Sequence, residues 1–169
     1  PYTIYSSIFK VNSGSFIKMS PNGFQYQKYW DLRDKLTHEV ETDVKRAMIK
    51  LSDLLISSIQ YQLISDVPVG VFLSGGIDSS MITAQAAKVS SVKVNTFSIG
   101  FEEERFNEST YAKAIAGYLG TDHHEFIVSY KDAISQIDSI FATYDEPFAD
   151  SSAIPTLLLS RLAKQYVTV

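Results

Sequence analysis

Cysteine is absent from the 169 residues. That removes disulfides, thiolate zinc sites and cysteine nucleophiles from the chemistry these residues can perform. No uninterrupted apolar run reaches the length needed to span a bilayer, and nothing at the start resembles a signal peptide. Basic residues are outnumbered: 15 Lys and Arg against 19 Asp and Glu leave a formal charge of −4 and a pI near 5.3. There is no basic block of the kind that grips a nucleic-acid backbone. The expectation is a cytoplasmic protein with no nucleic-acid and no membrane partner. No internal repeat or low-complexity segment is visible. The remaining composition, 45% hydrophobic and 20% charged, is that of an ordinary folded domain.

The strongest positive signal is Val69-Gly70-Val71-Phe72-Leu73-Ser74-Gly75-Gly76-Ile77-Asp78-Ser79-Ser80. An apolar strand runs into a Ser-Gly-Gly-x-Asp-Ser turn and then into a helix. Glycines let backbone approach an anion closely, and the helix aims free N–H groups and its positive dipole end at the same spot. Ser74, Ser79 and Ser80 add hydroxyls. Asp78 suits an anion site when a cation joins it, which points to Mg²⁺ held together with phosphate. The pattern is not a Walker A loop, because no lysine follows Gly76, and it is not G-x-G-x-x-G. It resembles the pyrophosphate-binding loop of the ATP pyrophosphatase (PP-loop) superfamily, whose members cleave ATP between the α and β phosphates. A tight turn without a ligand is the bland alternative, and the full motif between strand and helix outweighs it.

Along the chain, residues 2–30 read as strands: Thr3 to Phe9, then Ser15 to Met19 and Gly23 to Tyr26 around the turn Ser20-Pro21-Asn22-Gly23. Asp31 to Leu36 reads as a linker. Residues 37–64 carry Val40, Val44, Met48, Leu51, Leu55, Ile59 and Leu63 at spacings of three and four, a helix with one buried stripe. Glu39, Glu41 and Asp43 crowd its first turns. Alternation follows: strand Val69–Leu73, helix Ser79–Lys88, strand Val94–Ile99, and a helix capped by Asn107 and stopped by Gly120. That helix is expected to turn Tyr111, Ala114, Ile115, Tyr118 and Leu119 inward. Strand His123–Val128 comes next. Ser129-x-x-Asp132 opens a helix with Ile134, Ile137, Ile140, Phe141 and Tyr144 inward, and a last helix runs from about Ser152 to Lys164. The order predicts an α/β fold, a doubly wound parallel sheet, with ligands at the carboxyl ends of its strands.

Candidate chemistry gathers at those ends. Asp78 is the best Mg²⁺ ligand. The Glu102–Glu104 run has solvation as its simplest explanation. Asp145, Glu146, Asp150 and Ser151 lie in a dense loop that either caps a helix or helps hold substrate or metal. Leu73 and Ile99 end two strands, and either wall an adenine ring or pack the core. His123 and His124 are adjacent on a strand and so face opposite sides, which favours structural roles. Arg105 and Arg161 are anion contacts or ordinary surface residues.

Several ordered blocks resemble glutamine-dependent asparagine synthetases and their amidotransferase relatives. They are Asp66-Val67-Pro68 leading into the loop, Thr96 to Phe101, Phe106-Asn107-Glu108, Leu119 to Glu125, Asp145 to Ser152 and Ile154-Pro155. Upstream, Ile8 to Val11 and Tyr29 to Leu32 look like the closing strands of a glutaminase domain. The resemblance implies the adenine nucleotide α-hydrolase-like (PP-loop ATPase) fold. It also implies that residues 1–33 are the remnant of a class II glutamine amidotransferase domain and residues 34–169 the first part of a synthetase domain. It implies ATP contacts at Leu73 and Ile99, pyrophosphate contacts at Ser74, Gly75, Gly76, Asp78 and Ser79, and Mg²⁺ on Asp78. The implied reaction adenylates the aspartate side chain with MgATP, after which glutamine-derived ammonia displaces AMP. On the same reading a homodimer is expected for the full-length protein.

The chain opens on Pro1, and Tyr166 to Val169 reads as a strand broken in mid-run, so a fragment without activity of its own is expected. Neither the glutaminase cysteine nor the family's second glycine-rich acidic loop has a counterpart here. The Asp145–Ser152 loop lacks an arginine that some asparagine synthetases carry, which leaves room for another carboxylate as acceptor, such as a sugar acid. Other PP-loop classes (GMP or NAD synthetases, tRNA-thiolating enzymes) and a non-catalytic nucleotide-binding domain are the competing readings.

Overall fold

The computed structural model describes residues 1–36, 40–103, 105, 107–147 and 149–169. Glu39, Glu104 and Phe106 of the reading above lie outside the described residues. The chain divides into two compact units, Pro1–Ala47 and Met48–Val169.

In the first unit, β1 (Ser15–Ser20) and β2 (Gly23–Lys28) form the expected antiparallel hairpin, with Ser20 opposite Gly23. Thr3 to Phe9 is not a strand. The Thr3 hydroxyl folds the segment back on itself by donating to the Tyr5 and Ile8 carbonyls, and only a single bridge joins Tyr2 to Phe9. The expected linker contains a 3₁₀ turn, Leu32–Lys35, capped by Asp31, whose side chain accepts from the Arg33 N–H.

Helix α1 (Val44–Gln62) starts later than its apolar spacing predicts. The Asp43 carboxylate accepts from the N–H groups of Lys45 and Arg46, an N-cap that fixes the start at Val44. The apolar stripe is covered only in its second half. Ile59 is buried with Ala86 and Val94, and Leu63 packs beside them, whereas Val44, Met48 and Leu51 are exposed.

The second unit is built on a parallel sheet in the order β3 (Gly70–Phe72), β4 (Asn95–Phe101), β5 (Asp122–Val128). Helices α2 (Ile77–Val89) and α3 (Ser109–Leu119) supply the crossovers. Helices α4 (Tyr130–Ser135), α5 (Ile137–Thr143) and α6 (Ala153–Ala163) follow β5. Side chains alternate along the strands. Phe97 packs with Leu159, Ala163 and Val167 under α6, while Leu73 packs with Ala112 and Ala116 under α3. With helices on both faces, the sheet is doubly wound as expected.

On the far side of β3, the Gly70 N–H donates to the Val169 carbonyl at 2.8 Å and the Val169 N–H donates to the Pro68 carbonyl at 3.3 Å. This is the slanted pattern of a parallel pair. From β3 the chain therefore steps one way to β4 and, much later, the other way to Val169. Such a reversal opens a crevice beyond the carboxyl end of β3.

Two expected helix faces need correcting. In α3, Tyr111, Ala114 and Tyr118 face solvent, and Ser109, Ala112 and Ala116 are buried. Small side chains allow the helix to approach the sheet closely, which leaves no room for tyrosine. The helix expected after Ser129 breaks at Gln136 into α4 and α5, and neither contains a buried residue; Phe141 is exposed. Its start is as expected: Ser129 and Asp132 form a reciprocal capping box.

Candidate functional site

The loop Ser74–Gly76 leaves β3 at the crevice and enters α2. Gly75 has φ +85°, a left-handed conformation that favours glycine. A Cβ there would lie 2.7 Å from Tyr111 Cβ and 2.9 Å from the Ala112 nitrogen. The glycine therefore lets α3 approach the loop, which differs from the expected role of making space for phosphate. Gly76 behaves otherwise. Its φ is −71° at the N-cap of α2, and a Cβ there would meet only the Ser74 hydroxyl, at 3.3 Å. The open side of the cradle is at Gly76.

The serines fold the loop onto itself. The Ser74 N–H donates to Ser79 Oγ at 3.2 Å, the two hydroxyls are 2.9 Å apart, and the Gly76 N–H donates to Ser74 Oγ at 3.3 Å. Ser80 Oγ donates to the Gly76 carbonyl at 2.6 Å. The N–H groups of Ile77, Asp78 and Ser79 make up the first turn of α2, which has no intrahelical acceptor for them. They form a donor cluster at the positive end of the helix. Asp78 is exposed in that turn. Among the described residues no three His, Cys, Asp or Glu side chains converge on one point. Among the described residues the loop itself contributes one carboxylate, Asp78, a donor set that fits Mg²⁺ shared with substrate phosphates.

A cavity of about 320 Å³ joins this loop to the ends of β3 and β4. Leu73, Ser74 and Ser79 line it together with Phe72, Ile99, Phe101, Glu108 and Leu159. Leu73 is 1% exposed and its side chain is committed to the core beside Ala112 and Ala116. Ile99 is half-buried and keeps apolar surface toward the cavity. A larger cavity, about 460 Å³, opens between Val67–Val69 and Val94–Asn95. It sits at the amino ends of the strands, the wrong end for ligands of an open α/β sheet.

The structure brings Leu73, Ser74, Ser79 and Ile99 together around one cavity, with Gly75, Gly76 and Asp78 in the adjoining loop. Asp145, Glu146, Asp150 and Ser151 do not line it. Asp150 instead makes a local turn before α6, accepting from the Ser152 N–H at 2.8 Å, and that bond holds its carboxyl below the ordinary range. Arg161 is occupied by Gln136 and by Ser139, the latter at 3.1 Å. His123 and His124 lie on opposite faces of β5. His123 contacts Thr96 and Ser98, while His124 stacks on Phe97 at 5.1 Å. Sequence reasoning missed Glu108 as a lining residue. Its only signal in the sequence is its place in Phe106-Asn107-Glu108, beside an asparagine that suits the capping role.

A family model for asparagine synthase matches residues 50–169. The chain belongs to the asparagine synthase family. Relatives agree in direction. A Methanocaldococcus jannaschii protein provisionally named glutamine-hydrolysing asparagine synthetase 2 is 36% identical over all of this chain and 33% of its own length. The glutamine-hydrolysing asparagine synthetase 1 of Bacillus subtilis is 35% identical over all of this chain and 26% of its own length. The chain thus spans a third or less of these relatives. Among solved structures, an NH₃-dependent NAD synthetase from Campylobacter jejuni aligns with a TM-score of 0.46 and 18% identity, covering 69% of this chain and 52% of that one. No helix among the described residues is long and apolar enough to cross a membrane.

Proposed function

We propose that this member of the asparagine synthase family contributes the nucleotide-activating part of a glutamine-dependent asparagine synthetase. One observation carries the reading: the Ser74–Ser79 loop stands at the reversal point of a doubly wound sheet and opens into a cavity between the ends of β3 and β4. The family membership supplies the reaction class. In this reading ATP lies with its base toward Ile99 and its phosphates against the loop. An aspartate side-chain carboxylate attacks the α-phosphorus, the α–β bridge breaks, and pyrophosphate leaves. Ammonia derived from glutamine then displaces AMP to give asparagine. The 1–33 segment belongs to the glutaminase side of the same protein, and cytoplasm is its compartment.

The protein's contribution is fixed polarity. The N–H groups of Ile77, Asp78 and Ser79 need no reorientation as charge builds on the departing pyrophosphate, the arrangement that stabilises such a transition state. Asp78 would hold Mg²⁺, which supplies charge neutralisation at the phosphates when bound.

The test is release of AMP and pyrophosphate by the intact protein with MgATP, ammonia and a panel of carboxylates. Aspartate-dependent release with asparagine as product supports the reading. Release with another carboxylate alone moves the acceptor and keeps the mechanism, and release with none of them overturns it. Asp78→Asn is expected to lower pyrophosphate release at least a hundredfold while glutamine hydrolysis persists. Equal loss of both activities would count against a local role for Asp78.

A further inference from the structure

Glu108 is the one ionisable residue lining the cavity among the described residues. It occupies the N-cap position of α3, yet its side chain makes no capping bond; Asn107 Oδ1 accepts from the Ser109 N–H at 3.0 Å instead. Helices favour Asp, Asn, Ser or Thr at that position because the short side chain reaches back to the first turn. A glutamate beside an asparagine that does the capping leaves a carboxylate with no hydrogen bond or ion pair among the described residues.

The turn that carries it is placed by two close approaches. A Cβ on Gly75, in the phosphate loop, would strike α3 at Tyr111 and Ala112. A Cβ on Gly100, next to Ile99 at the end of β4, would lie 2.8 Å from Asn107 Oδ1 and 3.0 Å from Ser109 Cβ. The first turn of α3 is therefore pressed against both the phosphate loop and the strand end expected to face the base. Glu108 lies in that turn, its side chain exposed, and lines the same cavity as Ser74 and Ser79 of the loop and Ile99 of the strand end. What connects a base to its phosphates is the ribose.

Charge narrows the chemistry further. A carboxylate repels phosphate oxygens, and among the described residues Glu108 belongs to no group of three or more His, Cys, Asp or Glu side chains that could cage a metal. The neighbouring cavity wall of Phe72, Ile99, Phe101 and Leu159 is apolar. Besides the amino group on its base, the donors that a nucleotide presents are its ribose hydroxyls, and an ionised carboxylate is an acceptor only.

We infer that Glu108 is a sugar-recognising residue of this site, its carboxylate accepting hydrogen bonds from the ribose hydroxyls of the bound nucleotide. The inference rests on the nucleotide reading above and adds to it a preference for ribonucleotides over deoxynucleotides.

The test compares ATP, 2′-deoxy-ATP and 3′-deoxy-ATP binding to the intact protein and to its Glu108→Ala and Glu108→Gln variants, with thermal melts as the folding control. The parent is expected to bind at least one deoxy analogue about tenfold or more weakly than ATP, the worth of one charge-assisted hydrogen bond. Glu108→Ala is expected to lose a similar factor for ATP and to bind that analogue as well as it binds ATP. Glu108→Gln, which keeps a weaker acceptor of the same shape, falls between. If Glu108→Ala binds ATP like the parent, or keeps the parent's discrimination, the ribose role is overturned while the nucleotide reading stands. A changed Mg²⁺ dependence with unchanged discrimination overturns it in favour of a metal role. If the parent itself binds no ATP, the nucleotide reading falls first and this inference falls with it. Should Glu108→Ala not fold, Glu108→Gln gives the same comparison.

Discussion

A methyl group added at Gly75 would enter α3, and one added at Gly76 would face open space beside the Ser74 hydroxyl. The two substitutions therefore separate folding from binding. Gly75→Ala is expected to cost about 2 kcal/mol or more, from the left-handed conformation and from displaced helix backbone. In a melt this reads as a loss of several degrees. Gly76→Ala is expected to leave the melt nearly unchanged and to weaken ATP binding at least tenfold, because its Cβ projects into the cradle. A normal melt for Gly75→Ala together with a collapsed one for Gly76→Ala would reverse these assignments. At this scale the sequence was legible where chemistry is local. The Ser-Gly-Gly-x-Asp-Ser spacing named the loop, and Ser129 with Asp132 named a cap. It could not distinguish the two glycines, since what a Cβ at Gly75 meets comes from residues 36 positions further on, at Tyr111.

Helix α3 and the strands beneath it enclose a polar line that no short motif announces. Thr121 Oγ1 donates to the Ala116 carbonyl at 3.5 Å and lies 2.8 Å from Thr96 Oγ1. Thr96 Oγ1 is 3.0 Å from His123 Nδ1, and His123 Nε2 is 3.2 Å from Ser98 Oγ. Followed from the Ala116 end, the donors run in one direction, so Nδ1 carries the proton and Nε2 accepts from Ser98. Burial lowers the His123 pKa. Glu125 opposes that shift, and His124 and Lys113 add to it. The unfolded chain therefore takes up a proton more readily than the native one. Stability is full above the ordinary histidine value of 6.5 and declines as pH falls from there toward the lower native value. His123→Gln is expected to flatten the melting temperature between about pH 7 and pH 5; an unchanged slope would place its origin elsewhere. Glu125 contributes in a separate, more acidic window. Its carboxyl is lowered chiefly by the Ser109 hydrogen bond, with Lys113 assisting against burial, so its contribution is lost only as pH falls below the usual carboxylate range. Elements were legible by period, but their faces were not. Val44, Met48, Tyr111, Tyr118 and Phe141 satisfy helical spacing and still point outward, because spacing says which residues share a side and not which side is covered.

At the scale of the molecule, the chain spans about a third and about a quarter of its two relatives, and its cavity presents one acidic residue and an open loop. On the reading proposed above, the 169-residue chain alone is predicted to release no AMP from ATP and aspartate; AMP formed by the isolated chain would refute this. The parallel architecture was legible because strand and helix patterns alternate. The reversal of strand order was not, since it depends on Val169 returning to the flank of Gly70. That return has a consequence for exchange with solvent. Strand β3 is only three residues long, yet its stem is held from both flanks, through the Gly70 N–H to Val169 and the Leu73 N–H to Phe97. In deuterium these amides are expected to keep their protons far longer than those of the longer β1–β2 hairpin. The shortest strand among the described residues then keeps slower time than the longer hairpin, and the anion loop hangs from it.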